Sequence, residues 1–254
     1  MKKSIGFIGG GRITRIFLKA FQNKGFTPQR VVVTDINSET TTALKLEFPH
    51  IEISGPEEAS GQEIVFIALH PPAIMETLGK IKHFIHPGTS IISLAPKITI
   101  EKISRTLSGS KNVARLIPNA TSIINEGYNP VCFSESFEEK EPIIKWLSLL
   151  GKTFEVDESK MESYAILSAM LPTYFWFQWQ EMLQIGSKIG LNENECREAV
   201  EESLIASVHT MFNSGFSYKE VEDLIPVKPI GGNEQQIKEI LSGNLCSLFE
   251  KIKP

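Results

Sequence analysis

A glycine-rich turn near the start of the chain is the first place where residue types and spacing suggest chemistry. Gly9, Gly10 and Gly11 follow a short apolar run and precede a stretch with helical periodicity. Glycines between a strand and a helix allow a sharp turn and a close backbone approach to a pyrophosphate, which then meets the free N–H groups of the helix. A generic tight turn has the same glycines, so the pattern alone is weak. It indicates a candidate phosphate-binding turn that includes Arg12 and Ile13.

An acidic residue at the end of the next predicted strand strengthens this interpretation. Asp35 follows the run Val31 to Thr34, about 20 residues beyond the turn. A carboxylate there accepts hydrogen bonds from a ribose diol and repels a 2′-phosphate, which favours NAD over NADP. The same side chain is equally typical of a turn or helix cap in Asp35-Ile36-Asn37-Ser38, and both interpretations stay open.

Other strand ends contribute further candidates, because ligands of open α/β sheets bind beyond the carboxyl ends of strands. Pro71 and Pro72 are expected to stiffen a loop that walls the site, and His70 to face a phosphate or ribose. For direct proton transfer by His70, a solvent-exposed loop histidine is the better interpretation. Asn119 either fixes a nicotinamide amide or a substrate carboxylate, or forms a turn after Pro118. The predicted cofactor-binding residues are Gly9, Gly11, Arg12, Ile13, Asp35, Ala68, His70, Pro71, Ala95 and Asn119.

Short apolar runs alternate with helical stretches up to about residue 156, and this order predicts a doubly wound, mostly parallel α/β sheet. Ser38 is the predicted N-cap of the second helix. Beyond residue 156 no strand-like run occurs, so an all-α region is expected. We therefore predict a nucleotide-binding domain over 1–156 and a helical domain over 157–254.

Bulk composition excludes several classes of function. The 254 residues have a net charge of −4, which does not favour a nucleic acid or an anionic membrane as partner. Three cysteines without a CxxC pair, and histidines without metal-ligand spacing, predict no disulfide framework and no metal site. No apolar run approaches the ~18 residues of a membrane span. A small-molecule enzyme of the cytoplasm is the expectation.

Four motifs in order resemble the pyrroline-5-carboxylate reductase family. They are Gly-Phe-Ile-Gly-Gly-Gly (6–11), Ala-Leu-His-Pro-Pro (68–72), Ser-Leu-Ala (93–95) and Arg-Leu-Ile-Pro-Asn-Ala (115–120). The resemblance implies a Rossmann domain followed by a helical dimerisation domain, with each active site between two chains. It also implies reduction of a cyclic imine to proline with NADH or NADPH, and a homodimer or larger homo-oligomer.

The chain departs from the family pattern at several positions. The family's Asn-Met-Ala after the second fingerprint glycine is Arg12-Ile13-Thr14 here, its Lys before the strand-end proline is His70, and its Ala-Ala-Gly is Ala95-Pro96-Lys97. Ser168 to Pro172 replaces a Ser-Gly-Ser-Gly-Pro turn. Pro229 to Glu234 replaces Pro-Gly-Gly-Thr-Thr and lacks both threonines. The cofactor-binding part of the chain therefore matches the family pattern better than the substrate-binding part does.

The resemblance also suggests substrate-site residues by position. Asn119, Gly231, Gly232 and Asn233 would bind a substrate carboxylate, and the catalytic candidates are Asn233, Ser168 and Tyr174. The aromatic run Tyr174 to Trp179 is more typical of helix core or a dimer interface, and Gly231-Gly232 of a simple turn.

Two alternatives remain. A 3-hydroxyacid or 6-phosphogluconate-type dehydrogenase shares the layout but needs a lysine in the helical domain, and Lys160 and Lys188 lack the usual neighbours. A nucleotide-binding reductase paralogue without catalysis, acting as a regulatory protein, is favoured by the missing threonines.

Overall fold

The computed structural model describes residues 3–254, and the chain divides into two compact units. The first unit contains the chain up to Met170 together with Phe249–Pro254, and the second contains Leu171–Leu248. The domain boundary predicted at residue 156 lies directly after the last strand. Short helical segments that follow this strand still belong to the first unit, which therefore continues about four helical turns past that point.

A single eight-stranded sheet organises the first unit, in the order β3-β2-β1-β4-β5-β6-β7-β8. Neighbouring strands are parallel, except that β7 runs antiparallel to β6. This confirms the predicted doubly wound, mostly parallel α/β class. The strands are β1 Ser4–Ile8, β2 Arg30–Thr34, β3 Glu52–Ile53, β4 Ile64–Ile67, β5 Ser90–Ser93, β6 Val113–Leu116, β7 Gly127–Phe133 and β8 Gly151–Glu155.

Helices connect the strands and then form the second unit. Those of the first unit are α1 Arg12–Asn23, α2 Ser38–Glu47, α3 Pro56–Ser60, α4 Pro71–Ile81, α5 Ile100–Thr106, α6 Lys140–Leu147 and α7 Met161–Tyr164. A π-helix, Ala165–Ala169, continues α7, and 3₁₀ turns occur at Ala120–Ile124, Ser148–Leu150 and Glu158–Lys160. The remaining elements are α8 Leu171–Lys188, α9 Glu193–Asn213, α10 Tyr218–Asp223, a 3₁₀ turn Gly231–Asn233 and α11 Glu234–Ile252.

Apolar residues cover both faces of the sheet. On one face Phe7 stacks on Phe66 at 4.9 Å between ring centroids, and Phe17 and Trp146 pack against Phe66 from α1 and α6. The opposite face has a separate aliphatic cluster that includes the β1 residue Ile8. Because the central strands are buried on both sides, they are mostly apolar and do not alternate; the polar exceptions on β5 and β6 are Ser90, Ser93 and Arg115.

The N-cap of α2 differs from the prediction. Asn37, and not Ser38, caps the helix: its side-chain oxygen accepts hydrogen bonds from the backbone N–H groups of Glu39 (2.9 Å) and Thr40 (3.3 Å). Asn37 has the extended backbone that a cap requires, whereas Ser38 already belongs to the first helical turn.

The second unit buries few side chains. Among residues 171–248 only Gly186 on α8 and Cys196 on α9 are buried, and they face each other. A methyl group added at Gly186 would lie 2.7 Å from the Cys196 sulfur, so the two helices need glycine here to approach. Elsewhere large apolar side chains of this unit are exposed.

Within residues 3–254, no helix is both long enough and apolar enough to cross a membrane. The same residues contain no cluster of three His, Cys, Asp or Glu side chains that is suited to a metal ion.

Candidate functional site

A cleft of about 300 Å³ opens beyond the carboxyl ends of β1, β4, β5 and β6. The chain passes from β1 outward to β2 and β3 and then returns to β4 on the other side of β1, so the cleft lies where the strand order reverses. Ligands of doubly wound folds bind at this position, and the volume is at the lower end of the range for small-molecule sites. Its lining residues are Gly11, Arg12, Ile13, Ala68, Leu69, His70, Pro71, Leu94, Ala95, Pro96, Ile117, Pro118, Ala165, Ala169 and Met170.

Gly9 and Gly11 differ in why a larger residue would be unfavourable at their positions. Gly9 has φ +109°, and a methyl group there would lie 2.4 Å from the carbonyl oxygen of Ala68, the residue after β4, so the fold itself requires glycine at this position. At Gly11 an added methyl group would meet no described atom within 4 Å, although the residue lines the cleft. The fold therefore does not demand glycine at Gly11, but a ligand that approaches the backbone would.

The N-terminus of α1 presents positive charge to the cleft. Gly11 is the N-cap and has no side chain to satisfy the first N–H groups, and the first turn contains no acidic residue. Arg12 adds a cation where the helix dipole is already positive, which is unfavourable unless an anion binds there.

Thr14 occupies the position where glycine or alanine is usual, and the structure shows how it fits. The side chain is fully buried, and its hydroxyl donates a 2.6 Å hydrogen bond to the Gly9 carbonyl. The substitution is therefore compatible with the turn because the buried hydroxyl is satisfied.

Asp35 is bonded to the glycine turn. One carboxylate oxygen accepts from the Gly10 N–H at 2.7 Å, and the other accepts from the Asn37 N–H at 2.8 Å. The turn role considered from the sequence is therefore present. Each carboxylate oxygen has a second lone pair, so a ribose diol remains a compatible partner. Next to it, the Ile36 side chain is completely exposed.

The segment after β4 is helical, and this corrects the loop predicted for Pro71 and Pro72. Both prolines form the first turn of α4, and exposed His70 is its N-cap residue. Proline is favoured in the first turn because its missing N–H would have no intrahelical acceptor. The cleft is lined by four of the predicted cofactor-binding residues, Ala68, His70, Pro71 and Ala95. Of these, His70 is exposed to solvent.

Asn119 and Ser168 are bonded to each other within the first unit. The Asn119 side-chain N–H donates 2.8 Å to the Ser168 carbonyl, and its oxygen accepts from the N–H and hydroxyl of Thr121. The Ser168 hydroxyl donates to the Tyr164 carbonyl at 2.7 Å. Buried Asn119 therefore does what the turn interpretation anticipates, capping the 3₁₀ turn, and it does not line the cleft.

The π-helix Ala165–Ala169 explains the contact with Ser168. Its wider turn is closed by a hydrogen bond from the Met170 N–H to the Ala165 carbonyl. Such a bulge disrupts the regular pairing of carbonyl groups, and Asn119 supplies a side-chain donor to one of them. Ala165 and Ala169 form a wall of the cleft, in keeping with the frequent occurrence of π-bulges at functional sites.

A buried ion cluster lies beside the cleft and was not predicted. Arg115, on β6, is fully buried and forms ion pairs with Glu158 at 3.0 Å and with Glu162. The sequence contains a signal for it: an arginine stands within an apolar strand, and two glutamates follow four residues apart. Lys97, in the segment after β5, also has an unexpected left-handed backbone with φ +77°.

The remaining predicted residues belong to the second unit. Tyr174 lies on α8 and is half-buried, and burial raises the pKa of its phenol. Gly231, Gly232 and Asn233 form the 3₁₀ turn before α11 and bury no side chain. The structure brings most of the cofactor candidates to one cleft or to its glycine turn, namely Gly9, Gly11, Arg12, Ile13, Ala68, His70, Pro71 and Ala95. The substrate candidates are divided between the two units.

Comparisons with known proteins agree with this architecture. A family model described as NADP oxidoreductase coenzyme F420-dependent matches residues 4–97. The pyrroline-5-carboxylate reductase of Haemophilus influenzae is 24% identical over 81% of this chain and 77% of its own length. That of Corynebacterium melassecola is 22% identical over 97% of this chain and 93% of its own.

Solved structures give the same result. A Plasmodium falciparum pyrroline carboxylate reductase with NADP bound has a TM-score of 0.83 at 20% identity, covering 100% of this chain and 98% of that one. The Coxiella burnetii pyrroline-5-carboxylate reductase has a TM-score of 0.72 at 22% identity, with coverage of 99% and 95%. This chain is therefore similar in sequence to pyrroline-5-carboxylate reductases and has their fold. The resemblance noted in the four motifs is confirmed, and the likeness in fold extends over the whole chain.

The two turn glycines allow a matched test of the cleft. We expect Gly9→Ala to destabilise the protein by more than about 2 kcal/mol, because the residue is left-handed and abuts β4. Gly11→Ala should change the melting temperature little but weaken dinucleotide binding about tenfold or more, about 1.4 kcal/mol. Thermal denaturation and fluorescence titration with NADH and NADPH measure both. An unchanged dinucleotide affinity of Gly11→Ala would show that the turn is not part of the binding site.

Proposed function

We propose that this protein is a cytoplasmic NAD(P)H-dependent oxidoreductase that reduces a C=N bond, with a cyclic imine of the pyrroline-5-carboxylate type as substrate. The observation that supports this most is the cleft at the switch point of the sheet, which is lined by the uncapped N-terminus of α1; Asp35 is hydrogen-bonded to the adjoining glycine turn. The names of the relatives supply the substrate class. The proposed domains are 1–156 for the cofactor and 157–254 for dimerisation and substrate.

The residues present fit a dinucleotide. The N–H groups at the start of α1, with the open space at Gly11 and the guanidinium of Arg12, suit a pyrophosphate. Asp35 suits the ribose diol, and the apolar side chain of Ile36 is available to an adenine face. Ala68, His70, Pro71 and Ala95 form the wall toward the nicotinamide end. When bound, the nicotinamide supplies the hydride.

The chain's own residues have positioning tasks in such a reaction. They hold the imine carbon near the cofactor, bind the substrate carboxylate and place a proton donor near the nitrogen. We assign the carboxylate to Asn233 and the N–H groups of Gly231 and Gly232. We assign the proton donor to Tyr174, because a tyrosine phenol carries its proton at neutral pH; burial raises its pKa further.

Ser168 and Asn119 fit a supporting role better than a catalytic one. The Ser168 hydroxyl is bonded to Tyr164, and the Asn119 amide is bonded to Ser168 and Thr121. Either group would have to break a buried hydrogen bond before it reached substrate, and this costs about 1–3 kcal/mol. We therefore propose that both shape the wall of the cleft.

The second unit is proposed to form a homodimer. Of its residues 171–248 only Gly186 and Cys196 are buried, while large apolar residues remain exposed. A surface of this kind is typical of an interface between subunits and not of a monomer. The most exposed apolar residues, each at least half exposed, are Phe177, Ile189, Val208, Phe212, Phe216, Leu224, Ile225, Val227, Ile230 and Ile240.

Steady-state assay tests the proposed reaction. We expect oxidation of NADH or NADPH to depend on pyrroline-5-carboxylate or another cyclic imine, with a kcat in the ordinary enzyme range of about 1 s⁻¹ or more. A panel of 3-hydroxyacids and 6-phosphogluconate serves as the comparison. Turnover of a hydroxyacid alone would favour the dehydrogenase alternative. Tight dinucleotide binding without turnover of any substrate would contradict the proposed reaction and favour a regulatory paralogue without catalysis.

Asp35 should determine which dinucleotide binds. Asp35→Asn retains an oxygen for the Gly10 N–H but removes the charge that repels a 2′-phosphate. We expect NADH affinity to fall severalfold and NADPH affinity to rise, so that the ratio of the two Kd values shifts about tenfold, or about 1.4 kcal/mol. Glu39→Gln, which removes an exposed acid of the helix α2 that follows Asp35, is the matched control. Equal changes for both dinucleotides would exclude Asp35 from the ribose site.

Sedimentation analysis tests the dimer. The wild-type chain is expected to sediment as a dimer or larger assembly at micromolar concentration. Phe177→Glu with Phe212→Glu should shift it toward the monomer, since both side chains are at least two-thirds exposed. Phe84→Glu, at an exposed apolar residue of the first unit, should leave assembly unchanged. A wild-type monomer would contradict the proposal.

A further inference from the structure

The segment after β5 combines a cleft wall with a strained backbone. Ala95 and Pro96 line the cleft, and Lys97 follows them directly with φ +77°. A lysine in the left-handed region is disfavoured because its Cβ crowds the backbone. A residue in such a conformation persists only where contacts with the surrounding structure stabilise it, so those contacts show which groups position the segment.

Two carboxylates hold this segment by its backbone. Glu162 accepts a 2.9 Å hydrogen bond from the Lys97 N–H, and Glu158 accepts a 2.7 Å bond from the Ile100 N–H. The same oxygen of each carboxylate also pairs with the Arg115 guanidinium. One buried cation thus orients two acids, and each acid fixes one N–H group of the segment.

Burial makes this cluster rigid. The side chain of Arg115 has no exposed surface, and that of Glu162 is 3% exposed. Arg115 lies opposite Ser93 in the register of β5 and β6, so the guanidinium is anchored beside the strand from which the segment departs. Charge-assisted hydrogen bonds in such an environment are strong and directional.

A purely stabilising role does not account for the arrangement. Buried ion pairs contribute little net stability compared with apolar residues of similar size. Here the carboxylates also bind two backbone N–H groups, that of Lys97, which directly follows the cleft residues Ala95 and Pro96, and that of Ile100 at the start of α5. The cluster is arranged to set the position of the segment.

We infer that Arg115, Glu158 and Glu162 are positioning residues that hold segment 95–100 against the nucleotide cleft, and that Glu162 does so by keeping Lys97 in the left-handed conformation. The inference rests on the proposed function to the extent that the cleft takes a dinucleotide. The backbone geometry that it explains is independent of the reaction.

Substitutions at residue 97 provide the test. Glu162→Leu removes the acceptor of the Lys97 N–H, and we expect NADH or NADPH affinity, whichever is tighter in the wild type, to fall about tenfold. Lys97→Gly in the Glu162→Leu background should restore most of that loss, because glycine adopts a positive φ without strain. Lys97→Ala in the same background removes the same lysine side chain but keeps the strain, so it should not restore affinity.

Hydrogen exchange of the protein without nucleotide separates this inference from the reaction. The N–H groups of Lys97 and Ile100 should exchange faster in Glu162→Leu, and protection at Ile100 should recover with Lys97→Gly. If Glu162→Leu does not fold, Glu162→Gln replaces it: glutamine keeps one acceptor oxygen but loses the charge that strengthens the bonds to Lys97 and Arg115, so the same changes are expected at smaller size. Glu155→Gln, which breaks the exposed Lys140–Glu155 pair, is the control and should change neither readout.

Two outcomes would overturn the inference: exchange at residues 97 and 100 that does not change when Glu162 is replaced, or equal effects of Lys97→Gly and Lys97→Ala. A wild-type protein that binds neither dinucleotide would refute the proposed function instead. In that case the exchange experiment alone still decides whether the cluster positions the segment.

Discussion

The buried guanidinium of Arg115 is the interaction on which the architecture around the cleft depends. It lies within β6, where every other residue is apolar, and it is neutralised by two glutamates from the helical segments that follow β8. An unpaired charge in this position would be very costly, so β6 and residues 158–162 must come together for the sheet to be stable. The same glutamates then bind the segment after β5, which ties three separate parts of the chain to one charge.

Asn119 links the carboxyl end of β6 to the π-helix that follows α7. β6 leads into Asn119, whose amide bonds the Ser168 carbonyl in the π-helix that lines the cleft. A regular α-helix would use this region's carbonyl groups internally, and the altered pairing of the π-helix admits a side-chain donor. The cleft wall is therefore set by buried polar contacts and not by apolar packing alone, and such contacts are satisfied in one geometry only.

Sequence analysis succeeded where the signal was local. The turn at Gly9 to Gly11, the acid at Asp35 and the alternation of strands and helices depend on neighbouring residues, and the structure has them where predicted. Strand β7 gave no such signal, because Pro130 within it is typical of an edge strand, yet β7 lies between β6 and β8. The left-handed Lys97 and the role of Arg115 arise from contacts tens of residues apart, which no short pattern contains.

The electrostatic potential of the cleft is opposite in sign to the net charge of the chain. The protein has a net charge of −4, yet the described residues that line the cleft include Arg12 and His70 and no carboxylate. The positive end of α1 adds to this local potential, and nearby Asp35 directs its two oxygens to backbone N–H groups. A cleft with this potential attracts an anion even to an acidic protein, since the field near a concave surface is set by the closest charges. The proposed recognition of phosphate through backbone N–H groups and Arg12 thus uses groups that the fold holds in place, whereas the proposed substrate contacts use residues of the second unit.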